Sequence, residues 1–389
     1  MKKNMAVFFG GRSVEHDVSI ITGSQIIENA DKEKYNVFPV YIARSGEWFC
    51  GEQLKDVGYY KKFDANDKGL TKVYIEPHPT KELKYATKFG TKVYSEIDVA
   101  VLAMHGLHGE DGTLQGLFEL ADIPYTSAGV TGSAVGMDKI VMKCAFCGAG
   151  LPVVDGVHFE RGAFLKDADA VVSKTEQKIG YPVFVKPANL GSSIGISKAA
   201  NAQELKKALE VAFYYDRRVL VEKAITNLIE INSAVMGYGQ DITVSLLEQP
   251  VTWKEFLTFE EKYLRSEGAS KGMKSLSRQV PAPIEKAQTD AIIEMSKTIF
   301  TTLDLKGVVR IDYIIDKDTN QIYVNEVNTI PGSWAYYLYE PMGISFRQLI
   351  DACAEAAVLQ MQDKKQNSYA FDSDILDKMK RGGLKGIKK

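Results

Sequence analysis

The chain has 389 residues, of which 45% are hydrophobic and 25% charged, a balance typical of a globular protein with two or three domains. Its net charge of −2 argues against a nucleic-acid-binding protein, which usually carries a basic excess. No apolar run approaches the roughly 20 residues that span a bilayer. The apolar run Met5 to Phe9 is too short for the core of a signal peptide. We therefore expect a cytoplasmic protein that binds neither nucleic acid nor membrane.

The first third of the chain alternates strand and helix patterns. Val14–Ala30 has the spacing of a helix, and the apolar runs typical of buried strands are Met5–Phe9, Tyr35–Ala43 and Asp98–Met104. Such alternation predicts an α/β layer with a mostly parallel sheet, whose ligands gather at the carboxyl ends of the strands. His105 follows the third of these strands directly and is therefore a candidate site residue.

The remaining elements divide the chain into further units. We expect an N-terminal α/β unit over residues 1–127, a central unit over 128–225, a third unit over 226–363 and a polar tail over 364–389. The helices and strands predicted in the central unit are a helix from Ala134, the strand Tyr181–Val185, the helix Ala202–Tyr214 and the strand Arg218–Glu222. The helices predicted in the third unit are Ile284–Leu303 and Phe346–Met361.

A loop rich in glycine and serine follows the central strand. Gly191 and Gly195 allow the backbone to approach a ligand closely, and the hydroxyls of Ser192 and Ser193 add hydrogen-bond donors. Lys186 precedes the glycines, whereas the lysine of a P-loop follows them. The pattern favours a phosphate-binding cover of a different type, and a simple connection is the alternative.

The densest polar constellation lies in a hairpin near the C-terminus. Val308–Ile315 and Gln321–Gly332 are rich in β-branched and aromatic residues, which is typical of buried strands. A hairpin centred near Thr319 places Asp312 opposite Glu326 on one face of the sheet.

The same register places Arg310 opposite Asn328. An apolar core does not hold such a group, because burying charges without partners is costly. Carboxylate and amide oxygens are the ligands that Mg²⁺ prefers, often shared with substrate phosphates. The sequence therefore predicts a metal site at Asp312, Glu326 and Asn328, and a solvated edge hairpin with a salt bridge is the alternative.

Two further segments fit nucleotide chemistry. Glu222 ends a strand, where it could accept a hydrogen bond from an adenine amino group. Residues 265–278 show no periodicity, and a long irregular loop inside a compact domain is either disordered or a lid. Lys262 and Tyr263 precede this loop. A lysine there could pair with phosphate, and the tyrosine could point into the site.

Taken together, these residues resemble the D-alanine–D-alanine ligase family of the ATP-grasp superfamily, from about Val7 to Leu359. The motifs that carry the resemblance are Gly10 to Glu15, His105-Gly106 with Gly109 to Gly116, Met137-Asp138-Lys139, Lys186-Pro187 with Gly191 to Gly195, Glu260 to Tyr263, and Asn325 to Gly332. The resemblance implies an α/β, three-domain ATP-grasp architecture with an N-terminal parallel-sheet domain. It places ATP between the second and third domains.

The resemblance also implies a reaction. The carboxylate of a first D-alanine attacks the γ-phosphate of ATP, which gives an acyl phosphate and ADP. The amine of a second D-alanine then attacks the acyl carbon, and phosphate leaves. The product, D-alanyl-D-alanine, is a peptidoglycan precursor. The cofactors implied are ATP and Mg²⁺ or Mn²⁺, with K⁺ as a further activating ion, and the assembly implied is a homodimer.

Site residues follow from the same similarity. Those assigned to nucleotide binding are Lys139, Lys186, Ser193, Glu222, Glu230, Phe256, Lys262 and Asn325. Those assigned to catalysis are Glu15, His105, Ser192, Tyr263, Arg310 and Gly332. Among these, Glu15 would bind the first ammonium and His105 would lie near the first carboxylate. Ser192, Tyr263 and Glu15 would form a relay, and Arg310 with the Gly332 N–H would stabilise the oxyanion.

The chain departs from the family pattern after Gly332. The family usually has a small hydroxyl residue within the next few positions, where it helps to bind the carboxylate of the second substrate. Here the run is Ser333-Trp334-Ala335-Tyr336-Tyr337-Leu338, and an aromatic residue falls at that position. Two alternatives therefore stay open. One is a ligase that joins D-alanine to a different second amino acid such as D-serine, and the other is a catalytically silent binding protein.

Overall fold

The structure is a computed structural model that describes residues 2–250 and 278–368, together with Phe371 and Ser373. The helices are α1 His16–Asn29, α2 Thr113–Leu120, α3 Val130–Met137, α4 Lys139–Gly148, α5 Arg161–Lys166, α6 Ala168–Lys178, α7 Ala202–Tyr215, α8 Lys286–Thr302 and α9 Phe346–Lys364. The first strands are β1 Lys3–Gly10, β2 Tyr35–Ile42, β3 Trp48–Cys50, β4 Thr71–Ile75, β5 Glu82–Thr87, β6 Gly90–Glu96, β7 Val99–Leu102 and β8 Gly156–Glu160. The later strands are β9 Val183–Pro187, β10 Ser197–Ala199, β11 Arg218–Lys223, β12 Leu228–Tyr238, β13 Asp241–Val244, β14 Gln249–Pro250, β15 Arg278–Gln279, β16 Lys306–Asp316 and β17 Ile322–Asn328.

The first sheet has seven strands in the order β6-β5-β4-β3-β2-β1-β7. Its centre is parallel, because β1 pairs in parallel with both β2 and β7. The expectation of a parallel N-terminal sheet is confirmed there, but β3 to β6 extend the sheet antiparallel. This extension was not predicted from the sequence, because β6 is almost wholly exposed and lacks the apolar alternation of a half-buried strand.

Two further antiparallel sheets follow. One has the order β10-β9-β11-β8, and the other has the order β13-β12-β16-β17. Helices α6 and α7 pack on the former, and α4 and α8 contribute apolar side chains to the core of the latter. Helix α9 packs against the latter sheet and also against β7 of the first. It therefore ties the C-terminal part of the chain to the N-terminal sheet.

The helix predicted from Ala134 is interrupted in the structure. Helix α3 begins earlier, at Val130, and ends at Met137. Asp138 then has an extended backbone, and its carboxylate accepts hydrogen bonds from the backbone N–H groups of Ile140 and Val141. An aspartate in this position is a strong helix N-cap. The cap begins a new helix, α4, whose first residue is Lys139.

No helix in residues 2–250 and 278–368 is long and apolar enough to cross a membrane.

Strand β16 shows why the site hairpin is stable. Val309, Ile311, Tyr313 and Ile315 are buried, whereas the residues between them are only partly buried. The buried side chains pack against α8 and α4 in one core. The opposite face of the same strand is left for polar side chains, so the core holds the site residues at fixed positions.

We expect Ile311→Ala to lower the free energy of unfolding by about 2–5 kcal/mol, because it removes a fully buried side chain and leaves a cavity. Urea unfolding followed by tryptophan fluorescence measures the change. Leu359→Ala is the matched control, since Leu359 is 52% exposed on α9. Equal midpoints for both variants would contradict the packing role of Ile311.

Candidate active site

The polar face of the hairpin has the register expected from the sequence. Asp312 lies opposite Glu326 and Arg310 lies opposite Asn328, with an irregularity after Asp312. The Arg310 guanidinium donates to both oxygens of Asp312, through Nε at 2.7 Å and an Nη atom at 2.8 Å. Asn328 Nδ2 donates to Asp312 Oδ2 at 3.1 Å. The three side chains therefore form one connected group on the sheet.

The charges of this face are balanced by protein cations. Burial opposes the charged form of Arg310, but the paired Asp312 outweighs it and raises the guanidinium pKa well above its usual value. Lys139 Nζ lies 3.4 Å from Glu326 Oε2. Asp312, Glu326 and Asn328 nevertheless bring two carboxylates and one amide to neighbouring positions, a donor set that suits a hard divalent cation.

Within the residues that the structure describes, no three or more His, Cys, Asp or Glu side chains are grouped so as to hold a metal ion. The set predicted from the sequence has only two carboxylates, and its third member is an amide. A cation bound there would have to share its coordination with other oxygens, such as those of phosphates.

Two lysines and one glutamate form a second, buried group. Glu222 is the penultimate residue of β11, and its carboxylate lies 2.6 Å from Lys186 Nζ and 2.5 Å from Lys143 Nζ. Burial alone would raise the carboxyl pKa, but the two ammonium groups lower it to about 2. Lys186 Nζ also lies 3.5 Å from Asn325 Oδ1 on β17. The second group therefore adjoins the hairpin face.

The glycine- and serine-rich loop closes over a third group. Lys139 Nζ donates to the Leu190 carbonyl at 2.9 Å, and Ser192 Oγ donates to Glu15 Oε1. A Cβ at Gly191 would lie 2.9 Å from Glu15 Oε2, so a larger residue there would displace the Glu15 carboxylate. The loop thus connects the lysine that faces Glu326 to the glutamate that precedes α1.

A cavity of about 400 Å³ opens beside Glu15. The residues that line it are Arg12, Ser13, Val14, Glu15, Arg44, Gly106, Leu107, Met137, Leu190 and Gly191. The charged residues among them are Glu15 and two arginines. The cavity is therefore suited to a small molecule that carries both an ammonium and a carboxylate.

His105 lies at the carboxyl end of β7, where the sequence placed it. Its imidazole is buried and forms a 2.8 Å hydrogen bond between Nε2 and Thr22 Oγ1. Burial and the nearby Arg310 charge lower its pKa to about 4. His105 is therefore neutral at physiological pH and lies within the electrostatic field of the hairpin face.

Glu110 lies in one of the motifs named from the sequence, where no role was predicted for it. Its carboxylate accepts from the Gly106 N–H at 2.7 Å and from the Ile330 N–H at 3.0 Å. It therefore joins the loop after β7 to the chain after β17. Burial and the negative charge of Glu15 raise its pKa to about 8. The available signal was a glutamate inside a glycine-rich turn at a strand end.

The aromatic segment after Gly332 has an unusual backbone. Ser333, Trp334 and Ala335 have φ values of 49°, 53° and 50°, in the left-handed region that costs about 1–2 kcal/mol per L-residue. Buried contacts hold it, because Trp334 Nε1 donates to the Leu102 carbonyl at 3.3 Å. The segment is therefore shaped by the N-terminal sheet and not by local preference.

Tyr337 of this segment is buried beside the hairpin face. Its hydroxyl donates to Glu248 Oε2 at 3.1 Å, and the guanidinium of Arg278 lies 3.9 Å from its ring centre. Asn232 links the group to the sheet, because it pairs with Asp312 across β12 and β16 and donates to Glu248 at 3.3 Å. An aromatic hydroxyl thus stands close to Arg310.

The other predicted residues are placed as follows. Glu230 lies on β12 opposite Ile314, Gly332 begins the aromatic segment, and Ser193 has a φ of 59° in the loop beside Ser192. Phe256, Lys262, Tyr263 and residues 265–277 of the proposed lid lie outside the described residues, and Arg278 begins β15.

Comparisons with known proteins decide the family. The family model described as the D-ala D-ala ligase N-terminus matches residues 4–128, and the model described as the D-ala D-ala ligase C-terminus matches residues 146–355. The chain belongs to the D-alanine–D-alanine ligase family. The resemblance found in the sequence and the expected ATP-grasp fold are thereby confirmed.

Individual relatives agree over nearly their full length. A D-alanine–D-alanine ligase of Thermosipho melanesiensis is 41% identical, with 96% of this chain and 98% of the relative covered. One of Geobacillus kaustophilus is 36% identical, with 96% and 100% covered.

Solved structures show the same family fold. The VanG D-Ala:D-Ser ligase from Enterococcus faecalis has a TM-score of 0.77 at 31% identity, covering 92% of this chain and 100% of that one. The D-alanine-D-alanine ligase from Coxiella burnetii has a TM-score of 0.76 at 27% identity, covering 94% and 98%.

Glu110 gives a pH-dependent prediction. Its folded-state pKa of about 8 lies above the ordinary 4.5, so the native state binds the proton more tightly than the unfolded state. Its contribution to stability is full below about pH 4.5 and is lost as the pH rises through about 8. Glu110→Gln mimics the protonated acid, so its melting temperature should fall less than that of the wild type between pH 5 and about 9.

Thermal unfolding of both proteins across this range measures the effect, with Glu340→Gln as a control because Glu340 lies outside the Glu15–Glu110 pair. Parallel melting curves for the wild type and Glu110→Gln would show that Glu110 is ionised throughout.

Proposed function

We propose that the protein joins two D-alanine molecules into D-alanyl-D-alanine, with conversion of ATP to ADP and phosphate. The observation that carries the proposal is that contacts link the hairpin face, the glycine-rich loop and Glu15 in one chain of polar side chains. Lys139 contacts both Glu326 of the hairpin and Leu190 of the glycine-rich loop, and that loop contacts Glu15 beside the small-molecule cavity. Full-length similarity to ligases of this name supports the same reaction.

In the first step, the carboxylate oxygen of one D-alanine attacks the γ-phosphorus, and the bond from that phosphorus to ADP breaks. Glu15 would hold the ammonium of this substrate, and neutral His105 would lie near its carboxylate. Lys139 and Lys186 would contact phosphate oxygens, since both ammonium groups border the hairpin face. Ser193 and Asn325 adjoin the same region, and Glu222 and Glu230 would contact adenine and ribose.

In the second step, the amine of the other D-alanine attacks the acyl carbon, the bond from carbon to the phosphate oxygen breaks, and the amine loses a proton. Arg310 and the Gly332 N–H would stabilise the oxyanion that forms. Glu15 and Ser192, which are already hydrogen-bonded, would form the relay that we predicted with Tyr263. Phe256 and Lys262 complete the predicted nucleotide residues.

Asp312, Glu326 and Asn328 would hold the divalent cation, which when bound supplies positive charge to the phosphate oxygens. Arg310 and Lys139 pair with these carboxylates. In the reaction Arg310 would contact the oxyanion and Lys139 a phosphate oxygen. We propose Mg²⁺ as this ion, with Mn²⁺ as a substitute and K⁺ as an activator.

The remaining assignments are proposals of the same kind. We propose domain boundaries near residues 127 and 225, where the chain passes from one sheet to the next, with a third domain to 363 and a tail beyond. A cytoplasmic location and a homodimeric assembly suit the use of ATP and the family.

The function is tested by phosphate release from ATP, Mg²⁺ and D-alanine, with the product identified by mass spectrometry. D-alanyl-D-alanine is the expected product. Binding of ATP without turnover would instead favour the catalytically silent reading.

We expect Arg310→Ala to lower kcat by about 10²–10³-fold, the usual effect of removing one oxyanion donor. Steady-state kinetics with D-alanine measure it, and circular dichroism verifies the fold. Arg347→Ala is the control, because Arg347 is exposed at the start of α9. Near-normal turnover in a folded Arg310→Ala variant would contradict the proposal that Arg310 stabilises the oxyanion.

One observation favours a second candidate, a ligase with a different second amino acid. Tyr337 belongs to the aromatic segment in which the family pattern has a small hydroxyl residue, its hydroxyl lies within the electrostatic field of Arg310, and the solved D-Ala:D-Ser ligase has a similar structure. The Tyr337 ring would limit the room for the second substrate.

We therefore expect Tyr337→Ala to accept larger second amino acids such as D-valine, because the substitution leaves a space of about the size of the removed ring. Product profiles with D-alanine plus one further D-amino acid measure the range. Tyr214→Ala is the control, since Tyr214 is 83% exposed. A product range unchanged by Tyr337→Ala would place the specificity elsewhere.

A further inference from the structure

Lys143 has no part in the proposed reaction, yet it is buried in the site. It lies on α4 four residues after Lys139, and therefore on the same face of the helix. Its side chain is 9% exposed, and its Nζ lies 2.5 Å from Glu222 Oε1. Burying an ammonium is costly unless it is paired, so the contact with Glu222 is what keeps this lysine in place.

Glu222 meets a separate lysine at each carboxylate oxygen. Lys143 lies against Oε1 and Lys186 against Oε2, while the glutamate side chain itself is 3% exposed. Two ammonium groups and one carboxylate sum to a charge of +1. Such a group attracts a further anion, and phosphate oxygens are the anions that the proposed function brings to this site.

The two lysines differ in what else they face. Lys186 ends the strand before the glycine-rich loop and also approaches Asn325 on the hairpin, 3.5 Å from its Oδ1. It can therefore turn to a phosphate at that end. Lys143 is buried on the helix. Burial lowers the pKa of its ammonium group, and the adjacent Glu222 carboxylate opposes this effect. Lys143 would thus stay with Glu222 when Lys186 is shared with the nucleotide.

We propose that Lys143 is a positioning residue that holds the Glu222 carboxylate ionised and oriented toward the 6-amino group of a purine nucleotide. Lys139 and Lys143, one turn apart, would then divide the nucleotide between them, with phosphate at the first and base recognition through Glu222 at the second. The proposal rests on the proposed function, because that function supplies ATP as the ligand.

The test compares nucleotide binding by the wild type and Lys143→Met, with Mg²⁺ present and D-alanine absent. Isothermal titration calorimetry measures the Kd of ATP and of ITP, which carries an oxygen in place of the 6-amino group. In Lys143→Met we expect the Kd of ATP to rise about tenfold, as for loss of one charged hydrogen bond, and that of ITP to change little. Lys207→Met, at an exposed site on α7, should match the wild type.

A double-mutant comparison separates positioning from general structural damage. If Lys143 acts through Glu222, then Lys143→Met should have no further effect on ATP binding in a Glu222→Gln background. This pair replaces both charges with neutral groups, so it also covers the case in which Lys143→Met alone fails to fold. A further loss of ATP affinity in the double variant would overturn the proposal.

The outcome is distinguishable from a failure of the proposed function. A wild type that binds no ATP, or forms no ADP with D-alanine, would overturn the function itself. If the wild type turns over D-alanine, and the ratio of the Kd of ATP to the Kd of ITP is the same in Lys143→Met as in the wild type, only the role of Lys143 is overturned.

Discussion

Charge pairing between carboxylates and fixed cations is the constraint on which the candidate site depends. Asp312 is held by Arg310, Glu326 faces Lys139, and Glu222 is held between two lysines. Each carboxylate is at least partly buried, so an unpaired charge would be costly. The pairs therefore offset the cost of burying these carboxylates, and they place the lysines and Arg310 where phosphate oxygens would meet them.

These pairs join parts of the chain that are distant in sequence. Lys139 on α4 reaches the hairpin and the glycine-rich loop, while Glu110 accepts N–H groups from the loop after β7 and from Ile330. Thr22 contacts both His105 and the N–H of Ser333. The three larger sheets of the described residues, and the loops that follow their strands, thus contribute side chains to one site.

The aromatic segment after Gly332 shows how one part of the site differs from the family pattern. Its left-handed residues would be unfavourable alone, and the buried Trp334 secures them against β7. This bend delivers Tyr337 to Glu248 and Arg278. The chain thereby keeps the hairpin of its family while placing an aromatic ring in the region proposed for the second substrate.

The sequence by itself determined the local pattern. The alternation of β16 and β17 specified which side chains share a face, because successive residues of a strand point to opposite sides. The register of Asp312 with Glu326 followed from the turn between them. The placement of Glu222 near a strand end and of His105 just after a strand was likewise predictable, since both follow apolar runs, but the burial of both side chains was not.

Tertiary structure alone decided which distant groups meet. No local pattern states that Glu222 takes two lysines, although the spacing of four residues between Lys139 and Lys143 places both on one helix face. The partners of Glu110 and the left-handed path after Gly332 were also beyond the sequence. Such contacts depend on how whole sheets pack, and packing is set by many weak interactions that no short segment contains.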